Sequence, residues 1–200
     1  AGKPDDIVAA KKANRHCLYF TTNGVPLHQQ WDNVRDELQH IRIFQELGVR
    51  MMHLTYNRRN PIGDGAGEPN DGGLSDFGHT VVKEMNRLGV ICDVSHSGWR
   101  TSLEAAKASR RPMVASHTTC GGVYKHFRGK PDETVRAICD TGGLIGQLFA
   151  SLFAFEIVSS DPDFLDAQWD ALLASALNRD ATLSAQPRTG DPVTVSVRIE

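Results

Sequence analysis

From about residue 16 to residue 150, short apolar runs alternate with segments whose apolar positions recur at helical spacing. HCLYFTT (16–22) reads as a strand. In residues 32–48, Val34, Leu38, Ile41 and Leu47 fall on one helical face, and Gly48 supplies a stop. VRMMHLTY (49–56) is the next strand, followed by a long loop over 57–73 that is dense in Gly, Pro, Asn and Asp. Ser75 is placed to cap a helix that runs through Phe77, Val81, Met85 and Leu88 to Gly89. VICDVSH (90–96) is a strand, TSLEAAKAS (101–109) a helix, PMVASH (112–117) a strand, residues 131–143 a helix with Pro at its start, and LIGQLFA (144–150) a strand.

Five mostly apolar strands separated by helices predict a parallel sheet covered on both faces. An open doubly wound sheet and a closed barrel both satisfy the pattern. No GxGxxG or GxxxxGK[ST] follows a strand, which removes support for the common nucleotide folds. After about residue 157 the rhythm ends. Residues 161–177 could form an amphipathic helix, and the turn-rich remainder closes in the alternating run VTVSVRI. The predicted organisation is therefore a barrel-type domain over 1–156 and a divergent tail over 157–200.

Composition narrows the class. The chain of 200 residues has a formal net charge of -2, which gives no electrostatic case for a nucleic-acid partner. No apolar run approaches the roughly 20 residues of a membrane span. The N-terminal residues lack the continuous apolar core of a signal peptide, so the cytoplasm is the expected compartment. The four cysteines form no CxxC pair and are expected to be free, mostly buried thiols.

The chemistry concentrates at two strand ends. VICDVSH and PMVASH finish in His96 and His117, each preceded by Ser. In a parallel barrel, functional groups sit at the C-terminal ends of strands. Imidazoles on neighbouring strands, roughly 5 Å apart, can converge on one metal ion. Further ligands would have to come from Asp93, the loops or another chain. Arg128, in the loop after the second of these strands, could bind a carboxylate through two hydrogen bonds. Tyr56, at the end of HLTY, could present its hydroxyl or serve as an amphipathic rim residue. His16, His28, His40, His53 and His79 have no comparable context, and Asp64, Glu68 and Asp71 read as solvated loop acids. No Ser-His-Asp arrangement is signalled.

The segments LGVRMMHLTYNRRNPIGDG, GGLSDFGHTVVKEMNRLGVICDVSHSG and RPMVASHTTC, with FRGKPDE and GGLIG behind them, resemble the renal or membrane dipeptidases, peptidase family M19. That resemblance implies an α/β fold: a TIM-like (β/α) barrel of the metallo-dependent hydrolase type, with a two-zinc site that hydrolyses dipeptides. It implies zinc-ligand roles for His96 and His117, a substrate-carboxylate role for Arg128 and a substrate-facing place for Tyr56. The departures are specific. The family's early His-x-Asp pair has no counterpart, Thr21, Thr22 and Asn23 stand where a bridging glutamate belongs, and nothing after residue 150 resembles the segment carrying the catalytic aspartate.

About five βα units are recognisable, whereas a complete barrel takes about 250 residues, so a partial barrel is left open, and with it a homo-oligomer that covers the strand edges. The expected function is a zinc-dependent dipeptidase-family hydrolase with no general base assigned. The alternatives are an inactive, truncated relative acting as a binding module, or a different amidohydrolase on the same scaffold.

Overall fold

The computed structural model describes residues 1–28, 33–122 and 125–147, together with the backbone of residues 180–185 and 193–198. The chain divides into two compact units, Ala1–Leu148 and Phe149–Glu200.

The first unit opens with helix α1 (Pro4–Lys12) and then alternates β1 (Phe20–Thr22), α2 (Val34–Glu46), β2 (Val49–His53), α3 (Asp76–Leu88), β3 (Ile91–Asp93), α4 (Trp99–Ala108), β4 (Val114–Thr118), α5 (Asp132–Asp140) and β5 (Leu144–Gln147). The strands form one sheet in the order β1-β2-β3-β4-β5, all pairs parallel. A doubly wound sheet reverses its strand order at a switch point, whereas a barrel adds each strand beside the last. The unbroken order therefore selects the barrel pattern from the two that the sequence left open.

Local signals set the helix ends. The Ser75 hydroxyl accepts the Gly78 N–H at 2.9 Å and starts α3. Gly89 ends it in the left-handed conformation, at φ 70°. Between these caps, Val81, Val82 and Met85 are fully buried, and each contributes about 1.5–3 kcal/mol through the apolar surface removed from water. They join Ile41, Met52, Leu54, Val94, Met113 and Ile138 in one core.

Several elements differ from the sequence reading. Helix α1 was not expected, because its pattern is weak and it buries only Ala10. β2 stops at His53 rather than Tyr56, since Leu54 to Tyr56 leave the ladder and the chain turns into the 57–73 loop. β3 ends at Asp93, three residues short of His96. Burial on both faces holds for the centre of the sheet but not for β1, where Phe20 is exposed. Of the four free cysteines only Cys92 is buried, and burial pushes its thiol up to about 12; Cys139 is exposed.

The second unit contains an antiparallel pair, β6 (Asp180–Ala185) and β7 (Val193–Arg198). β7 coincides with the alternating run, whereas β6 arises from a stretch read as turns. The expected helix over 161–177 and the end of the expected strand at 148–150 lie outside the described residues. No helix of the described residues is long and apolar enough to cross a membrane.

Candidate metal centre

Register brings the chemistry together. His53 closes β2 and pairs in the ladder with Asp93, which closes β3. His96 follows three residues later, and His117 lies within β4 on the neighbouring strand. Ring nitrogens of His53, His96 and His117 all lie within 4.8 Å of one another, and this is the one such group of three metal-ligating side chains among the described residues.

The hydrogen bonds around each ring fix which nitrogen carries the proton, an assignment inferred from the network. His117 Nδ1 lies 2.8 Å from Ser116 Oγ, and that hydroxyl donates its own proton to Asp93 Oδ2. Ser116 must therefore accept from His117, which places the proton on Nδ1 and leaves Nε2 as a lone pair. His96 Nδ1 lies 2.8 Å from the side-chain oxygen of Asn57, with the same consequence for His96 Nε2. The two Nε2 atoms face each other at 2.9 Å. Two lone pairs at that distance repel unless a cation or a shared proton sits between them.

The third ring repeats the arrangement. His53 Nδ1 lies 3.1 Å from the Thr22 carbonyl oxygen, so it donates there. His53 Nε2 is buried, makes no hydrogen bond among the described residues, and lies 3.4 Å from Asp93 Oδ2. A buried imidazole nitrogen left in this state is what a metal ligand looks like before its ion is added. Each ring thus donates through Nδ1 to an oxygen and turns Nε2 inward, the outer-sphere pattern that orients metal-binding histidines.

The local electrostatics favour the neutral, ligand-competent form of His96 and His117. Burial, then Arg128, His117 and His53, push His96 down to about 3, against the opposing pull of Asp93. His117 is also lowered, chiefly by burial, with Arg128 and His53 adding to it and Asp93 opposing. Burial works against the charged form of Asp93, yet His53 and the hydrogen bonds from Ser116 and Ser95 hold its carboxyl below the usual range. Asp93 Oδ1 accepts the Ser95 N–H at 2.9 Å and its hydroxyl at 2.6 Å. The carboxylate acts as the keystone behind the two Ser-His pairs.

Arg128 is buried, and its Nη2 donates to the His117 carbonyl at 3.1 Å and, at 3.4 Å, to that of Ser95. It therefore stands against the same strand ends as the two histidines. Tyr56 stacks on His96 with ring centroids 3.8 Å apart and planes 15° apart, and remains 46% exposed. Lys130 is buried with its ammonium on the Ser97 carbonyl, and burial, then Arg128, pull it down to about 7.

Sequence reasoning brought His96, His117, Arg128 and Tyr56 to one place and missed His53. The rule applied to His96 and His117, that chemistry sits where a parallel strand ends, also selects His53 once β2 is ended correctly. The loop acids have structural partners: Asp64 pairs with Arg59, Glu68 accepts the Arg59 N–H, and Asp71 caps α4 through the Arg100 N–H. At the end of β1, Thr22 offers His53 a main-chain oxygen, and its hydroxyl donates to the Gly24 carbonyl at 2.7 Å.

Comparison with known proteins gives the family. The profile of the family described as membrane dipeptidase, peptidase family M19, matches residues 1–184. A Schizosaccharomyces pombe protein described as an uncharacterized dipeptidase is 39% identical over 107 residues, which are 52% of this chain and 26% of that protein. An amidohydrolase of Pseudomonas aeruginosa of known structure is 35% identical, with a TM-score of 0.64 over 74% of this chain and 43% of its own. The probable dipeptidase PvdM of the same organism is 27% identical, with a TM-score of 0.67 over 85% of this chain and 44% of its own. The chain spans about a quarter of the length of the curated relatives it matches, 26% and 25% for two of them. With the family profile matched over most of its length and the barrel pattern in place, the chain belongs to the membrane dipeptidase family, M19.

Proposed function

We propose that this chain carries a three-histidine, single-metal centre of a dipeptidase-type hydrolase. The observation that carries the reading is the inward convergence of His96 Nε2 and His117 Nε2 at 2.9 Å, with the buried, unbonded Nε2 of His53 beside them. Three imidazoles suit zinc, which takes three protein nitrogens in catalytic sites that keep one position open. Bound there, zinc supplies Lewis-acid polarisation of the scissile carbonyl.

The chain's own groups supply binding and orientation. Arg128 holds a fixed positive charge behind His117 and receives the C-terminal carboxylate of a dipeptide, the geometry for which a guanidinium is suited. Tyr56, half exposed and stacked on His96, forms the wall against which the substrate lies. Ser116 and Asp93 keep the His117 proton on Nδ1 throughout.

Hydrolysis of dipeptides and of the same dipeptide amides by the zinc-loaded protein tests the reading. The protein is expected to cleave the free acids and to lose most of its activity on the amides. In Arg128→Lys the two substrate types converge through a higher KM for the acids, because a point charge does not replace two-point recognition. Equal cleavage of acids and amides by the unaltered protein would contradict the role of Arg128. A lack of hydrolysis by fully zinc-loaded protein would favour the second reading, a binding module. Thr21, Thr22 and Asn23, where the family resemblance implies a bridging glutamate near the end of β1, support that alternative.

A further inference from the structure

The geometry points to Asn57 as the positioning residue that sets the tautomer of His96, with the loop around Gly65 and Gly67 built to hold it in place. The inference rests on the reading of His96 as a metal ligand and adds a residue that this reading does not require.

Asn57 grips His96 twice. Its main-chain N–H donates to the His96 carbonyl at 3.2 Å, while its side-chain oxygen takes the His96 Nδ1 proton at 2.8 Å. To do both, Asn57 adopts a left-handed backbone, φ 60°. That conformation is uncommon outside glycine and is borne most easily by Asn and Asp among the other residues. Gly would adopt it at less cost but has no acceptor to offer His96.

The neighbouring loop closes over this residue at distances only glycine permits. A Cβ at position 65 would lie 2.2 Å from the Asn57 carbonyl carbon and 2.3 Å from the Arg58 nitrogen. At position 67 it would lie 2.9 Å from the Asn57 oxygen, which accepts the Gly67 N–H at 2.8 Å. The Ala66 N–H also donates to the His96 carbonyl, at 2.9 Å. Two glycines, a left-handed asparagine and three main-chain bonds therefore converge on a single side-chain contact.

The chemical consequence follows from the opposite tautomer. With the proton on Nε2, His96 would donate to His117 Nε2 across the 2.9 Å between them, and the two rings would satisfy each other with no cation. The Asn57 oxygen disfavours that state by holding the proton on Nδ1. Asn57 thereby keeps the pair open to a metal ion.

Nitrogen-15 NMR of labelled histidine in the metal-free protein reads the tautomer directly, and a zinc competition titration against a chelator reads its consequence. Asn57→Gly keeps the backbone conformation and removes the acceptor; Asn57→Asp keeps both. The unaltered protein and Asn57→Asp are expected to carry the His96 proton on Nδ1. In Asn57→Gly it should move to Nε2, and zinc affinity should fall about 10–100-fold, the usual effect of losing an outer-sphere partner. A proton retained on Nδ1 in Asn57→Gly, or zinc affinity equal to that of the unaltered protein, overturns the inference. If the unaltered protein binds no zinc, the single-metal reading falls, and the NMR result alone then decides the role of Asn57.

Discussion

The ends of β2, β3 and β4 and the end of β1 lie in the same sheet, yet they differ completely in chemical content. The first three bring together His53, His96 and His117, with Asn57 and Ser116 holding the outer nitrogens of His96 and His117 and Asp93 accepting from Ser116 behind them. The end of β1 brings a main-chain carbonyl from Thr22 and no ligating side chain. The resemblance to the dipeptidases implies a bridging glutamate near that place, where this chain has Thr21, Thr22 and Asn23. Here the same place orients an imidazole by its backbone, a task that Thr performs as well as any residue. The difference teaches that the three imidazoles are oriented from several places at once, His53 by a β1 carbonyl, His96 by Asn57 of the loop after β2 and His117 by Ser116 beside it on β4. β1 also leaves its one apolar residue, Phe20, exposed.

The comparison can be broken most sharply at the histidines. His96→Ala together with His117→Ala is expected to abolish zinc binding in a chelator competition, an effect well beyond the ~10–100-fold attached to outer-sphere partners. Zinc retained by this variant would place the site elsewhere. His53→Ala comes next: zinc affinity should drop strongly while the fold, followed by circular dichroism, remains. An unchanged affinity would return His53 to the ordinary role of a buried histidine paired with Asp93.

A smaller change is expected for Ser116→Ala, which frees the His117 Nδ1 proton from its partner and cuts off the link to Asp93. Zinc affinity should fall by about 10–100-fold. The smallest is Thr22→Ala. It keeps the carbonyl that serves His53 and removes only the hydroxyl bond to Gly24, which is worth about 0.5–1.5 kcal/mol of stability. Zinc affinity should not move. A measurable loss would show that β1 still contributes a side chain to the centre.

Much of this was legible in the sequence because its signals are local. Ser75 and Gly89 bound α3 where the pattern placed its caps, and the Ser-His pairs pointed to the region where β3 and β4 finish, although β3 ends at Asp93 and His117 lies inside β4. His53 was obscured by a continuous apolar run: Leu54 and Thr55 are as buried as the strand before them, so the pattern carries no sign of where the ladder stops. The Leu54 N–H still bonds to the Asp93 carbonyl, and only beyond it does the chain turn away from β3, a non-local event. The loop acids were hidden for a similar reason. Asp71 caps α4 through the N–H of Arg100, 29 residues further on, and no sequence window joins the two. Asn57 carries no periodic signal, and its role appears only when Gly65 is seen folded against it.

A centre of one metal and three histidines is tested by the zinc content per chain, determined by elemental analysis after equilibration with zinc and removal of the excess. One zinc per chain is expected, falling to background in His96→Ala/His117→Ala. Two zinc ions per chain, or none, would contradict it.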